Sequence, residues 1–242
     1  MIEKMIEMRL SGVVTENYNR VKHEVEACAK NCGRDPKDIT LIAVSKTKPL
    51  SDIEELLQIG VNDFGENKVQ ELCDKYENVS KPVNFHLIGH LQTNKVKYVV
   101  DKACLIHSVD SVKLAKEIQK QAEKKQIIAQ ILIEVNVAEE ESKFGLRAEE
   151  VLPIVEEIST YPNVHINGLM TIAPFVDDPE ENRVYFRSLR QLSLDINSKN
   201  IDNVSMDVLS MGMTNDYRVA IEEGATMVRV GTAIFGRRNY SI

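Results

Sequence analysis

The chain has 242 residues, a length that fits one large domain or two small ones, and 43% of them are hydrophobic, enough for a sizeable core. Its 30 basic and 37 acidic residues give a formal charge of −7, which argues against general nucleic-acid or anionic-membrane binding, because both need a basic face; a local positive pocket stays possible. No apolar run approaches the ~18 residues of a membrane span, and Met1–Leu10, with Glu3 and Glu7 and no long apolar stretch, does not read as a secretory signal, so a cytoplasmic location is expected.

In chain order, Val14–Asn31 has helical spacing, with Val14, Tyr18, Val21, Val25 and Cys28 on one face and Gly33 as its stop. Ile39–Ser45 is a largely apolar run typical of a buried parallel strand. A helix is predicted from Ser51 to Gln58, where Ser51 and Glu54 resemble a capping box. The alternation then repeats. Strands are predicted at Val61–Gly65, Asn84–Gly89, Leu105–Val109, Gln130–Val137, His165–Ile172, Val208–Gly212 and Thr226–Val230. Between them lie predicted helices at Asn67–Tyr76, Thr93–Val100, Ser111–Lys124, Ala148–Thr160, Pro179–Asn197 and Asn215–Glu223. Eight strands alternating with helices predict an α/β fold: a single (β/α)₈ TIM-like barrel over residues 1–242, with an extra N-terminal helix. No linker or low-complexity segment divides it, and an open doubly wound sheet is the alternative.

Two spacings suggest metal without carrying it. Cys28 and Cys32 lie four apart on the first helix, but no second ligand pair has zinc-like spacing, so reduced thiols are expected. His86 and His90 flank Ile88–Gly89, which reads as a strand entering a loop rather than a helix. The five methionines from Met170 to Met227 read as packing. The EEES run (139–142) with Lys143, and the Arg237–Arg238 tail, read as solvated.

Chemistry in such barrels gathers at the carboxyl ends of the strands. Here those ends carry Lys46, Glu66–Asn67, His90, Glu134, Ser210–Thr214 and Arg229–Thr232. Gly65, Gly89, Gly212 and Gly231 also fall there, and glycine lets a backbone approach a ligand closely. The loops after the last two strands, Ser-Met-Gly-Met-Thr and Gly-Thr-Ala, lead toward helical sequence and so predict a phosphate site. Lys46 follows an apolar strand directly; it is either a surface lysine, as Lys48 is read to be, or a partly desolvated amine suited to a Schiff base. Arg229, inside the apolar run MVRVG, must meet an acceptor, either a carboxylate such as Glu134 or a ligand atom.

At these residues the sequence resembles the pyridoxal phosphate homeostasis proteins, relatives of alanine racemase in their fold. The matching stretches are LIAVSKTKP (41–49), FGENKVQE (64–71), HLIGHLQTNK (86–95), GLMTIAP (168–174) and LSMGMTNDYRVAIEEGATMVRVGTAIFG (209–236). The resemblance implies an alanine-racemase-like barrel holding pyridoxal 5'-phosphate (PLP) as a Schiff base on Lys46. Phosphate contacts would fall on Ser210, Gly212, Gly231 and Thr232, Arg229 would face the pyridine nitrogen, and Asn67 would line the pocket. Thr214–Asn215 stands where Ser followed by a small or acidic residue is expected, and Thr214 keeps the hydroxyl.

The implied activity is that of a cofactor carrier affecting vitamin B6 and amino-acid or keto-acid balance, not an enzyme, with apo PLP-dependent enzymes as possible partners. A cationic arginine at the pyridine nitrogen makes the ring a poor electron sink. The racemases also take a tyrosine from a C-terminal β-domain, for which the dozen residues after the last strand leave no room. A monomer is therefore expected. A racemase-like enzyme and a barrel binding another phosphorylated metabolite noncovalently are the competing readings.

Overall fold

A computed structural model describes residues 12–140 and 143–236; the expectations for Met1–Leu10, for the second half of the EEES run and for Arg237–Arg238 lie outside them. Helix α1 (Val13–Asn31) precedes eight parallel strands that close into a barrel in chain order. The strands are β1 (Thr40–Val44), β2 (Asp63–Glu66), β3 (Asn84–Leu87), β4 (Ala103–Val109), β5 (Ala129–Glu134), β6 (Val164–Met170), β7 (Val204–Met213) and β8 (Met227–Val230). The intervening helices are α2 (Leu50–Gln58), α3 (Val69–Asn78), α4 (Val96–Val99), α5 (Val112–Lys125), α6 (Ala148–Ser159), α7 (Arg183–Asn197) and α8 (Tyr217–Glu222), and the single turn α9 (Thr232–Phe235) follows β8.

Strand period two sorts the side chains. In β1, Leu41 and Ala43 join the apolar shell between strands and helices, while Ile42 and Val44 point inward. Likewise Val228 and Val230 of β8 face the helices, and Met227 packs with the inward groups. The same alternation turns His86, Glu134, Ser210 and Arg229 into the barrel, beside the inward apolar side chains.

Helix α1 buries Tyr18, Val21, Val25 and Ala29, close to the predicted face, and Gly33 at φ 73° ends it as expected. The capping box predicted at Ser51 is not formed: the helix starts one residue earlier, after Pro49, and Glu54 instead accepts the backbone and hydroxyl hydrogens of Ser80. The predicted Thr93–Val100 helix is a 3₁₀ turn (Thr93–Lys95) followed by four α-helical residues. β7 extends beyond the predicted Val208–Gly212 at both ends.

Gly168 is where β6 and β7 pack most tightly. Its φ is 152°, and a Cβ there would lie 1.9 Å from the Val208 carbonyl oxygen. Gly168→Ala should therefore cost at least about 2 kcal/mol of stability through strain and a displaced ladder, read from the urea midpoint; an unchanged midpoint would show that the two strands can part at no cost.

Candidate functional site

Barrel closure assembles the site. β1 pairs with β8 in the register Ala43↔Val230, so the chain leaves β1 at Ser45–Lys46 beside Gly231–Thr232 leaving β8. A cavity of about 360 Å³ opens there, lined by Lys46, Lys48, Thr214, Gly231, Thr232 and Phe175 among others. Among the described residues its lining has two lysines and no carboxylate, in a chain of net charge −7. Lys48 is not the surface lysine expected: it is half-buried, donates to the Phe235 carbonyl at 2.7 Å and lines the cavity with Lys46. The N–H groups at the start of α9 have no intrahelical acceptor.

The opposite wall is the loop after β7. Asp216, buried, accepts the Met213 N–H at 2.7 Å and the Asn182 side-chain amide at 2.8 Å. Asn182 also donates to the Pro174 carbonyl, and Asn215 to that of Val176, both loops thus being tied together around the exposed Phe175. Thr214 is thereby fixed on the cavity wall.

Four of the predicted contacts lie elsewhere. Ser210 and Arg229 are buried in the barrel interior and do not line the cavity. Gly212 has φ 88°, and a Cβ there would come within 2.6 Å of Ala220 and 2.9 Å of Tyr217, so glycine lets β7 pass α8. Gly65 and Gly89 are similar: added Cβ atoms would meet Ile88 at 3.0 Å and the Asn67 carbonyl at 2.4 Å. Asn67 itself borders a different cavity, of about 590 Å³, over the outer faces of α3 and α4. There Lys68, Lys95 and Lys102 mix with Asp74 and Glu77, which makes it the poorer anion site despite its size. His90 anchors its loop, pairing with Asp110 at 3.4 Å and stacking on Phe144 at 3.9 Å between ring centres.

Arg229 does not pair directly with Glu134. It donates to Ser210 Oγ at 2.6 Å and to the Thr171 carbonyl at 2.8 Å. Burial lowers its pKa to about 10, against the pull of Asp216 and Glu134, so it stays a cation at neutral pH. Behind Ser210 runs a chain that the sequence did not reveal. His107 Nδ1 is 2.9 Å from Ser210 Oγ, His107 Nε2 is 3.0 Å from His86 Nδ1, and His86 Nε2 is 3.2 Å from Asp63 Oδ1. Burial, then His86 and Arg229, push the His107 pKa well down, leaving it neutral. Although burial opposes ionisation of Asp63, hydrogen bonds from His86 and Asn84 bring its pKa below the ordinary value. Asp63 thus only accepts. With His107 neutral and Asp63 only accepting, the row can run in one direction: Arg229 donates to Ser210, Ser210 to His107, His107 to His86, and His86 to Asp63. The signal available in the sequence was the placement of His86 and His107 at alternating inward positions of adjacent strands.

Glu134, 6% exposed, has one carboxyl oxygen without a hydrogen-bond partner. Burial, and then Asp110, raise its pKa to about 7 from 4.5, while Arg229 opposes the rise. A carboxyl whose folded pKa is raised contributes stability that is full below the unfolded value and is lost as pH climbs through the folded one. Glu134→Gln cannot ionise, so its stability relative to the wild type should grow between pH 4.5 and about 7 and then level off. Urea titrations across that range check this; a pH-independent difference would mean that Glu134 is ionised throughout.

The comparisons with known proteins agree with this geometry. The family model described as the alanine racemase N-terminal domain matches residues 17–239. A relative from Aquifex aeolicus (strain VF5), named pyridoxal phosphate homeostasis protein, is 45% identical over 93% of this chain and 98% of its own. A crystal structure of an unknown protein from Bifidobacterium adolescentis superposes with a TM-score of 0.88 at 35% identity, covering 93% of this chain and 95% of that one. The structure of PipY from Synechococcus elongatus PCC7942, with PLP bound, gives a TM-score of 0.78 at 32% identity over 88% of this chain and 99% of its own. A barrel closed in this register, with near-full-length relatives of one name, makes the chain a member of the pyridoxal phosphate homeostasis protein family, within the alanine racemase N-terminal domain family.

Proposed function

We propose that the chain binds PLP in the cavity between β1 and β8, holds it as a Schiff base on Lys46, and serves as a carrier in cofactor homeostasis rather than as an amino-acid enzyme. The observation that carries this reading is a cavity at the barrel mouth of an acidic protein whose described lining bears two lysines and no carboxylate. It suits a ligand that combines a dianionic phosphate with an aldehyde. The names of the relatives and the PLP in PipY support the same choice.

The residues divide the task. Backbone N–H groups at Gly231 and Thr232, with the hydroxyls of Thr232 and Thr214, would receive the phosphate. Lys46 would supply the amine that joins the cofactor's aldehyde carbon, its nitrogen giving up two protons to the oxygen that leaves as water, with nothing oxidised or reduced. Arg229, kept cationic beneath the site, would leave the pyridine nitrogen unprotonated and the ring a weak electron sink, which suits storage better than turnover. Ser210 then acts by orienting Arg229, and Gly212 by seating the loop that carries Thr214, instead of touching the phosphate themselves. Release to apo PLP-dependent enzymes would couple the protein to vitamin B6 and amino-acid balance.

The test is the visible absorption of the purified chain with added PLP, wild type beside Lys46→Ala, before and after borohydride. The wild type should show a band that borohydride traps on the Lys46 peptide, and Lys46→Ala should bind PLP more weakly with no trapped adduct. A wild type that takes up no PLP would leave a noncovalent binder of another phosphorylated metabolite as the better reading.

A further inference from the structure

The chain around Lys46 forms an unusual turn. The Lys48 N–H bonds the Ser45 carbonyl at 3.0 Å, so Lys46 and Thr47 are the two central residues. Lys46 is not among the residues with positive φ, but Thr47 has φ 64°. This is the pattern of a type II turn, whose third position belongs to glycine. Of the five described non-glycine residues with positive φ, Thr47 alone is β-branched, the class for which that region is most strained.

A charged cluster holds the turn in place. Glu71 Oε1 accepts the Thr47 N–H at 2.6 Å. Lys75 Nζ uses three donors on three acceptors: Glu71 Oε1 at 2.7 Å, Glu66 Oε1 at 2.7 Å and the Ser45 carbonyl at 2.8 Å. Ser45 Oγ donates to the same Glu66 oxygen at 2.7 Å. Ser45, Glu66 and Lys75 are all buried. The polar groups on both sides of Lys46 are thus bound to α3 and to the end of β2, while Thr47 itself is exposed.

We infer that Glu71 and Lys75, together with Glu66, are positioning residues that hold the strained Ser45–Lys48 turn and so aim the Lys46 amine into the cavity. The inference rests on the proposed Schiff base at Lys46, and the design below separates the two. PLP-free full-length protein is mixed with PLP; the rate of the visible band and the borohydride-trapped Lys46 peptide are recorded. Binding of pyridoxine 5'-phosphate, which has the ring and phosphate but no aldehyde, serves as the control.

Glu71→Ala should slow adduct formation roughly five- to thirty-fold, the population lost when a left-handed residue is no longer held, with pyridoxine 5'-phosphate binding unchanged. Glu71→Gln, which keeps an acceptor oxygen, should retain the rate. The double variant Glu71→Ala with Thr47→Gly should recover most of it, because glycine adopts the turn without a clamp. Should Glu71→Ala fail to fold, Thr47→Pro, at an exposed position, removes both the N–H and the positive φ and should slow the reaction at least as much. A wild-type rate in Glu71→Ala or Thr47→Pro, no recovery in the double variant, or equal loss of pyridoxine 5'-phosphate binding would overturn the positioning role. A wild type that forms no Lys46 adduct would instead overturn the Schiff base, and this inference with it.

Discussion

Everything at the mouth of this barrel depends on β1 pairing in parallel with β8. Their register brings the first and last strands out of the sheet side by side, so residues more than 180 positions apart in the chain share one cavity wall. A parallel sheet with unsatisfied edges would be costly, since each edge leaves a row of backbone groups unpaired; closure removes both edges and, by the same bonds, brings Lys46 beside Gly231 and Thr232. The long loops contribute less. Asp216 and Asn182 merely fasten what the strands have already aimed.

The interior shows how a barrel can carry charge without losing its core. Ile42, Leu105, Leu132 and Met170 pack inside it alongside a cation and a row of polar side chains. A buried guanidinium is tolerable only when it finds acceptors; Ser210 and the Thr171 carbonyl each accept one of its N–H groups, and neither is a counter-ion. Charge balance comes at longer range from Glu134 and Asp216. A direct ion pair would have turned the guanidinium toward its carboxylate, whereas neutral acceptors fix its direction and leave its charge uncompensated at contact distance.

The sequence disclosed the architecture because parallel strands buried on both faces are nearly continuous apolar runs, and eight of them alternate with amphipathic segments. It also singled out Lys46, Gly231 and Thr232, since a strand end can be located to within a residue or two. What it could not convey was direction. Ser210 and Gly212 sit at a strand end as foreseen, yet one points into the barrel and the other turns its bare Cα toward α8. Lys48 looked like an ordinary solvent-facing lysine because nothing local shows that its amine reaches Phe235 across the closure. The Ser51 capping box failed for a similar reason: Glu54 found a better partner in Ser80, distant in sequence. Each miss involves a contact made between elements, on which local pattern is silent.

The row from Arg229 to Asp63 has a consequence for how this sequence can drift. Every member is specified by its neighbour: a change at His107 alone strands a hydroxyl on one side and an imidazole on the other, both buried. Removing one partner of a buried hydrogen bond costs far more than replacing both with apolar groups of similar shape. Descendants of this chain should therefore exchange adjacent members of the row together, and a lineage that lost His86 should have lost or recast His107 in the same stretch of its history.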